Sequence, residues 1–213
     1  MKFKSILSTA AVSTALLFAS AVQANVITGH LWHVPEAVVT YGGPGAVPGS
    51  VPGGTADVDF QVNSPLAFNA STATVLAWLT SGSAFNVVEN TAGTLASLMD
   101  GGGQGTIVDF TGFVTVTTGM TFTVAHDDGL TLIIGGVDLG FDPGPTAPVV
   151  TTKTYTGPSG TFAFELVYAE CCGGPAVLEV DLPFSDVPAP EPATLALVGL
   201  GLAGLGWSRR RRA

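Results

Sequence analysis

Between residues 25 and 189 the chain keeps returning to one pattern: short runs of alternating apolar and polar residues, rich in Val, Thr and Phe and closed by Gly, Pro, Asp or Asn. A period of two sends successive side chains to opposite faces of an extended chain, and β-branched and aromatic residues suit that pleated surface. Lys, Arg and Gln, which favour helices, are scarce here. The expectation is an all-β domain, with strands over residues 26–34, 57–62, 106–117, 121–126, 130–134, 161–168 and 176–182. Residues 42–54 are so rich in Gly and Pro that they read as a loop. One short helix is expected over 72–80, capped by Ser71 and stopped by Gly82. No repeat of fixed period is visible, which argues against a solenoid.

Both ends of the chain have a different character. Lys2 and Lys4 precede an apolar run over residues 6–18, and Val22-Gln23-Ala24 forms a small-x-small end. This is the layout of a secretory signal over residues 1–24, with the mature chain starting near Asn25. At the other end Pro190, Glu191 and Pro192 stand before an uncharged segment, residues 193–207, and then Arg209, Arg210, Arg211 and Arg212. Such a segment is shorter than the roughly 20 residues that cross a bilayer comfortably. Tilt or local thinning allows a membrane helix nonetheless, and the arginines form a stop that stays cytoplasmic. The run from Gly199 to Gly204 spells G-x-G-x-x-G, but it lacks the strand-turn-helix setting of a nucleotide site. Small residues there suit close helix packing.

The order P-E-P, apolar helix and Arg cluster over residues 188–213 resembles the PEP-CTERM sorting tail of Gram-negative bacteria. That resemblance implies cleavage by an exosortase, with the tail acting as a temporary membrane anchor before the protein passes to the cell surface or is secreted.

The ectodomain between the two ends, residues 25–187, is expected to be one domain. Over residues 25–189 fifteen Asp and Glu face the single Lys153. Such a surface excludes nucleic acid and anionic lipid as partners, because both need a positive patch, and it suits divalent cations.

Residues 110–137 read F-T-G-F-V-T-V-T-T-G-M-T-F-T-V-A-H-D-D-G-L-T-L-I-I-G-G-V, and later comes G-T-F-A-F-E-L-V-Y-A-E-C-C-G-G-P-A-V-L-E-V. Two hairpins are expected, one turning at Asp127-Asp128-Gly129, followed by a strand pair around the Tyr-x-Glu sequence. Over residues 106–182 this pattern resembles the antiparallel β-sandwich modules called PA14 and GLEYA, which occur in adhesins, toxins and glycosidases. In lectin members an Asp-Asp pair joined by a cis peptide binds Ca²⁺, and the ion holds sugar hydroxyls. The resemblance places Asp127 and Asp128 in that role, with Asp138 and Asp142 as further candidate ligands, since Ca²⁺ takes six to eight oxygens. The alternative reading is a plain hairpin turn, for which Asp-Gly is a favoured pair.

Cys171 and Cys172 are the only cysteines. An oxidising exterior favours a disulfide, although neighbouring Cα atoms stand about 3.8 Å apart, below the usual span of roughly 4.4–6.8 Å. A vicinal bond that stiffens the following Gly-Gly-Pro turn is the preferred reading, and free or intermolecularly paired thiols are the alternative. His30 and His33, three apart on a strand, point to opposite faces and cannot share a metal. His126 adjoins the acidic pair, either as a ligand contact or to close a turn. No G-x-S-x-G, H-E-x-x-H or phosphate loop is present. Glu165, Glu170 and Glu179 read as a solvated strand face.

The sequence therefore leads to an exported, non-catalytic protein of the cell surface or extracellular matrix, with Ca²⁺-assisted glycan or polysaccharide binding as the expected activity. A structural matrix protein without a small-molecule ligand and a secreted polysaccharide hydrolase are the alternatives.

Overall fold

The computed structural model describes residues 26–71 and 74–185. Alternation does there what the pattern requires: in β1 (Val26–Pro35), Ile27 and Leu31 enter the main core while Trp32 and Val34 face the other way. Two antiparallel sheets result. β1 joins β2 (Val58–Asn63), β4 (Phe85–Glu89), β5 (Gln104–Val116), β7 (Leu130–Ile134), β8 (Val137–Asp138), β10 (Gly160–Glu170) and β12 (Phe184–Ser185) in one sheet. Its order is β4-β2-β1-β5-β10-β7-β8, with β12 also on β5. The second sheet has the order β3 (Leu66–Ala70), β11 (Ala176–Val180), β6 (Thr121–Asp127) and β9 (Val149–Thr154).

The facing sides of the sheets interdigitate Phe60, Phe68, Val108, Phe110, Phe122, Leu132, Leu166 and Leu178, all buried. Into this core α2 (Val75–Ser81) inserts Trp78, whose ring stacks on Phe68 with centroids 4.2 Å apart and on Tyr168 at 5.7 Å. The helix starts later than expected because Thr74, not Ser71, caps it, accepting a hydrogen bond from the Ala77 amide at 3.2 Å. Gly82 does end it, but for a packing reason: a Cβ there would lie 2.2 Å from the Phe68 ring.

The Gly/Pro-rich segment does more than connect. After α1 (Glu36–Val39) it makes one 3-10 turn, Pro48–Ser50, and folds over the outer side of the larger sheet. Val39, Ala46 and Ala56 are buried there against Trp32, Ile107 and Val167 in a second, smaller core.

The expected hairpin at Asp127-Asp128-Gly129 is not formed. β6 pairs with β11 and β9, whereas β7 pairs with β10 and β8, so the chain passes from one sheet to the other at this point. The Tyr-x-Glu strand β10 and the following β11 are likewise in different sheets. A hairpin does form at Gly135-Gly136, where Ile134 faces Val137. The links β6 to β7, β8 to β9 and β10 to β11 all cross at one end of the sandwich, as the registers Tyr168↔Leu130, Val177↔Asp127 and His126↔Val149 require. Towards the opposite end, β12 pairs with Phe113 and Val114 while β1 takes the same side of β5 from Thr111 onward.

Among the described residues no helix is long and apolar enough to cross a membrane. The expected signal over 1–24, the helix over 193–207, Pro190, Glu191, Pro192, Arg209, Arg210, Arg211 and Arg212 lie outside the described residues.

Candidate functional site

Where the three crossing links meet, Asp127 and Asp128 are both buried, at 4% and 5% exposure. Their peptide bond is cis. Each carbonyl of this dipeptide is held by a side chain. The Tyr168 hydroxyl donates to the Asp127 carbonyl, and His126 Nδ1 lies 2.6 Å from the Asp128 carbonyl. A carbonyl only accepts, so Nδ1 carries the proton and Nε2 accepts from Thr151 Oγ1 at 3.1 Å. Burial lowers the His126 pKa, consistent with a neutral ring. His126 thus closes the turn rather than facing a ligand.

Tyr168 Oη also lies 2.5 Å from Glu170 Oε2. A hydroxyl has one proton and cannot donate to both oxygens, so the Glu170 carboxyl must donate to Tyr168. Glu170 is accordingly neutral: burial first, and then the nearby Asp128, Asp127 and Asp100 carboxylates, push it up to about 9. The expectation of a solvated Glu170 is corrected here, since it is 1% exposed; Glu165 and Glu179 are not buried.

The two aspartates are used differently. Asp128 accepts the Cys171 amide at 2.8 Å on one oxygen and the Thr146 amide at 3.0 Å on the other, tying two loops to the crossing point. Burial still pushes it up to about 6. The Asp127 carboxyl has one partner among the described residues, the Asp128 carboxyl, and its pKa is raised chiefly by burial. Both line a cavity of about 270 Å³ with Tyr41, Thr146, Ala147, Pro148, Cys172, Gly173 and Gly174.

Cys171 and Cys172 are bonded to each other with Cα atoms 3.8 Å apart, and Cys172 forms part of the cavity wall. Asp138 and Asp142 do not reach the cavity. Each caps its own turn, accepting the amide of Gly140 at 2.8 Å and of Gly144 at 2.9 Å. Among the described residues no group of three His, Cys, Asp or Glu side chains is placed to hold a metal. His30 instead meets Asp59 at 2.5 Å, and His33 meets Ser97 at 2.6 Å. Sequence reasoning missed Tyr41 and Asp100, which come from loops without strand periodicity.

The two antiparallel sheets form a β-sandwich that resembles a PA14 domain. The chain is similar to the PA14 sugar-binding domain from an RTX adhesin, at 20% identity and a TM-score of 0.50, over 75% of this chain and 90% of that one. It is also similar to the PA14 domain of the MpAFP antifreeze protein, at 16% identity and a TM-score of 0.49, over 78% and 85% of the two chains. By its own strand pairing the sandwich takes in β1 to β4 as well as the segment 106–182. Residues 188–212 match the PEP-CTERM protein-sorting motif. The motif implies an exported, exosortase-processed cell-surface protein. No curated protein sequence matches the chain.

Proposed function

We propose that this is a non-catalytic surface protein whose sandwich binds glycans with the help of a Ca²⁺ ion at Asp127 and Asp128. The observation that carries this reading is the Asp127 carboxyl. It is buried, it lines a cavity, and its one partner among the described residues is another acid, the Asp128 carboxyl. Two buried carboxylates facing each other are costly, and a divalent ion between them removes that cost. Two carboxylates supply at most four of the six to eight oxygens Ca²⁺ takes. Loop carbonyls, water and sugar hydroxyls would supply the rest. The sugar-binding description of the similar RTX adhesin domain supports the same ligand class.

Ca²⁺ at about 100 times its Kd should stabilise the protein by about 2.7 kcal/mol, a rise of roughly 5–10 °C in Tm for a domain of this size. Asp127→Asn is the sharper variant, because Asp127 receives no backbone hydrogen bond that an amide would disturb. It should abolish the rise and, on a glycan array with Ca²⁺, the binding. A wild-type Tm indifferent to millimolar Ca²⁺ would leave Asp128 as a clamp on two loops and favour a structural matrix protein.

Sorting is testable separately. Glu191 lies within the matched sorting motif, so Glu191→Ala should leave unprocessed full-length protein in the membrane fraction. Release of processed variant at the wild-type rate would rule out this motif as the signal.

A further inference from the structure

The cavity has one wall that the carboxylates do not explain. Tyr41 is 77% exposed, more than any other large apolar or aromatic side chain among the described residues, yet the chain beneath it is tightly fixed. Thr40 donates to the Glu36 carbonyl at 2.9 Å, Gly43 to Thr40 at 2.9 Å, Gly45 to Val38 at 2.9 Å and Ala46 to Pro143 at 2.8 Å. Thr40 Oγ1 also lies 3.5 Å from Sγ of Cys172, another residue of the cavity wall. Gly42, at φ +87°, lets the chain double back directly after the tyrosine. A Cβ on Gly43 would lie 2.4 Å from the Ala37 carbonyl, so the return is close-packed. The backbone is thus anchored to both neighbouring loops while the ring is left in solvent beside two buried carboxyls.

Resting on the cation reading above, we propose that Tyr41 is a stacking platform for a single neutral pyranose ring whose hydroxyls point towards Asp127 and Asp128. A pyranose has the matching division, hydroxyls around its edge and C–H bonds on its faces, and an aromatic face is both apolar and electronegative. Tyr keeps few rotamers to freeze on binding, which suits a recognition surface. At about 270 Å³ the cavity is below the range of roughly 300–1,000 Å³ that encloses drug-sized ligands, so it takes one ring rather than a chain. Neutrality follows from charge. Asp100 stands beside the aspartates, with one oxygen 2.7 Å from the Gly173 amide, and no Lys or Arg lines the cavity. With Ca²⁺ offsetting Asp127 and Asp128, the Asp100 charge remains and would repel a uronate.

The test uses the exported wild-type protein, Tyr41→Ala and Tyr41→Phe, each with millimolar Ca²⁺. The probes are the methyl glycosides of glucose, mannose, galactose, fucose and glucuronic acid, read by ligand-observed NMR titration. At least one neutral glycoside should bind wild type, and the glucuronide should bind at least tenfold more weakly. Tyr41→Ala should weaken the neutral glycoside tenfold or more, Tyr41→Phe less than threefold, and both variants should keep the full Ca²⁺ shift in Tm. An intact Ca²⁺ shift with equal glycoside binding by wild type and Tyr41→Ala overturns the platform and leaves the cation site standing. Preferred binding of the glucuronide overturns the neutral specificity. No Ca²⁺ shift and no bound glycoside overturn the cation reading and the platform together.

Discussion

In the absence of Ca²⁺ the protein should lose stability steadily from pH 7 to pH 9. The group responsible is Glu170, pushed up to about 9 by burial and by the surrounding carboxylates. In the unfolded chain an ordinary glutamate has lost its proton well below pH 7, whereas the folded protein still holds it. The folded state thus binds one more proton, and stability falls as pH rises, by at most about 1.4 kcal/mol per unit. The loss ends once pH passes the folded pKa. Asp128 and Asp109, both raised to about 6 with burial the largest cause, act in the same direction but at lower pH. His126, lowered by burial, acts in the opposite direction below its ordinary value. The interval above pH 7 therefore isolates Glu170. Denaturant unfolding in EDTA should show a loss of about 2–3 kcal/mol across it. Glu170→Gln should flatten the profile, because an amide N–H still donates to Tyr168 Oη. A wild-type profile already flat from pH 7 to 9, or an unchanged slope in the variant, would show that Glu170 is ionised in the folded protein.

Trp78→Ala should lower the unfolding free energy by about 3–5 kcal/mol, the range for emptying a buried aromatic site. Its ring is fully buried between Phe68 and Tyr168, and neither neighbour can follow the loss. Phe68 is fixed on β3 against Gly82, and Tyr168 is committed to Glu170 and the Asp127 carbonyl. Calorimetry should show a Tm lower by on the order of 10 °C. A loss below about 1 kcal/mol would mean that α2 collapses onto the core and fills the space.

What the sequence made legible follows from what is local. Residues 130–134 form a strand as the alternation demands, and β1, β5, β6 and β10 stand within a few residues of expectation. Strand membership in a sheet is another matter. Asp-Gly between two good strands looks like a hairpin, but β6 and β7 each have better partners far along the chain, and nothing local reports them. β9 was not expected because it lies at a sheet edge, where Val149 and Val150 are exposed and no alternation marks a buried face. β4 contains Asn86 at φ +51° and a register shift opposite β2, which disturb its period. At the site, Asp127 and Asp128 were recognisable from resemblance, whereas Glu170 was not. A strand glutamate is normally solvated, and only the crossing of three links buries this one.

The pairing of β12 with β5 decides how the protein can be displayed. Ser185 stands opposite Phe113, while Glu170, next to the acidic dipeptide, stands opposite Thr106 on the same strand. Seven residues of strand separate the two levels, about 23 Å. The strands also begin near that remote level, where Thr28 faces Thr111. The first and last described residues, Val26 and Ser185, thus stand at one pole and the cavity at the other. Whatever is joined to the sandwich next to either residue, a fused reporter included, is joined at the pole away from the cavity mouth.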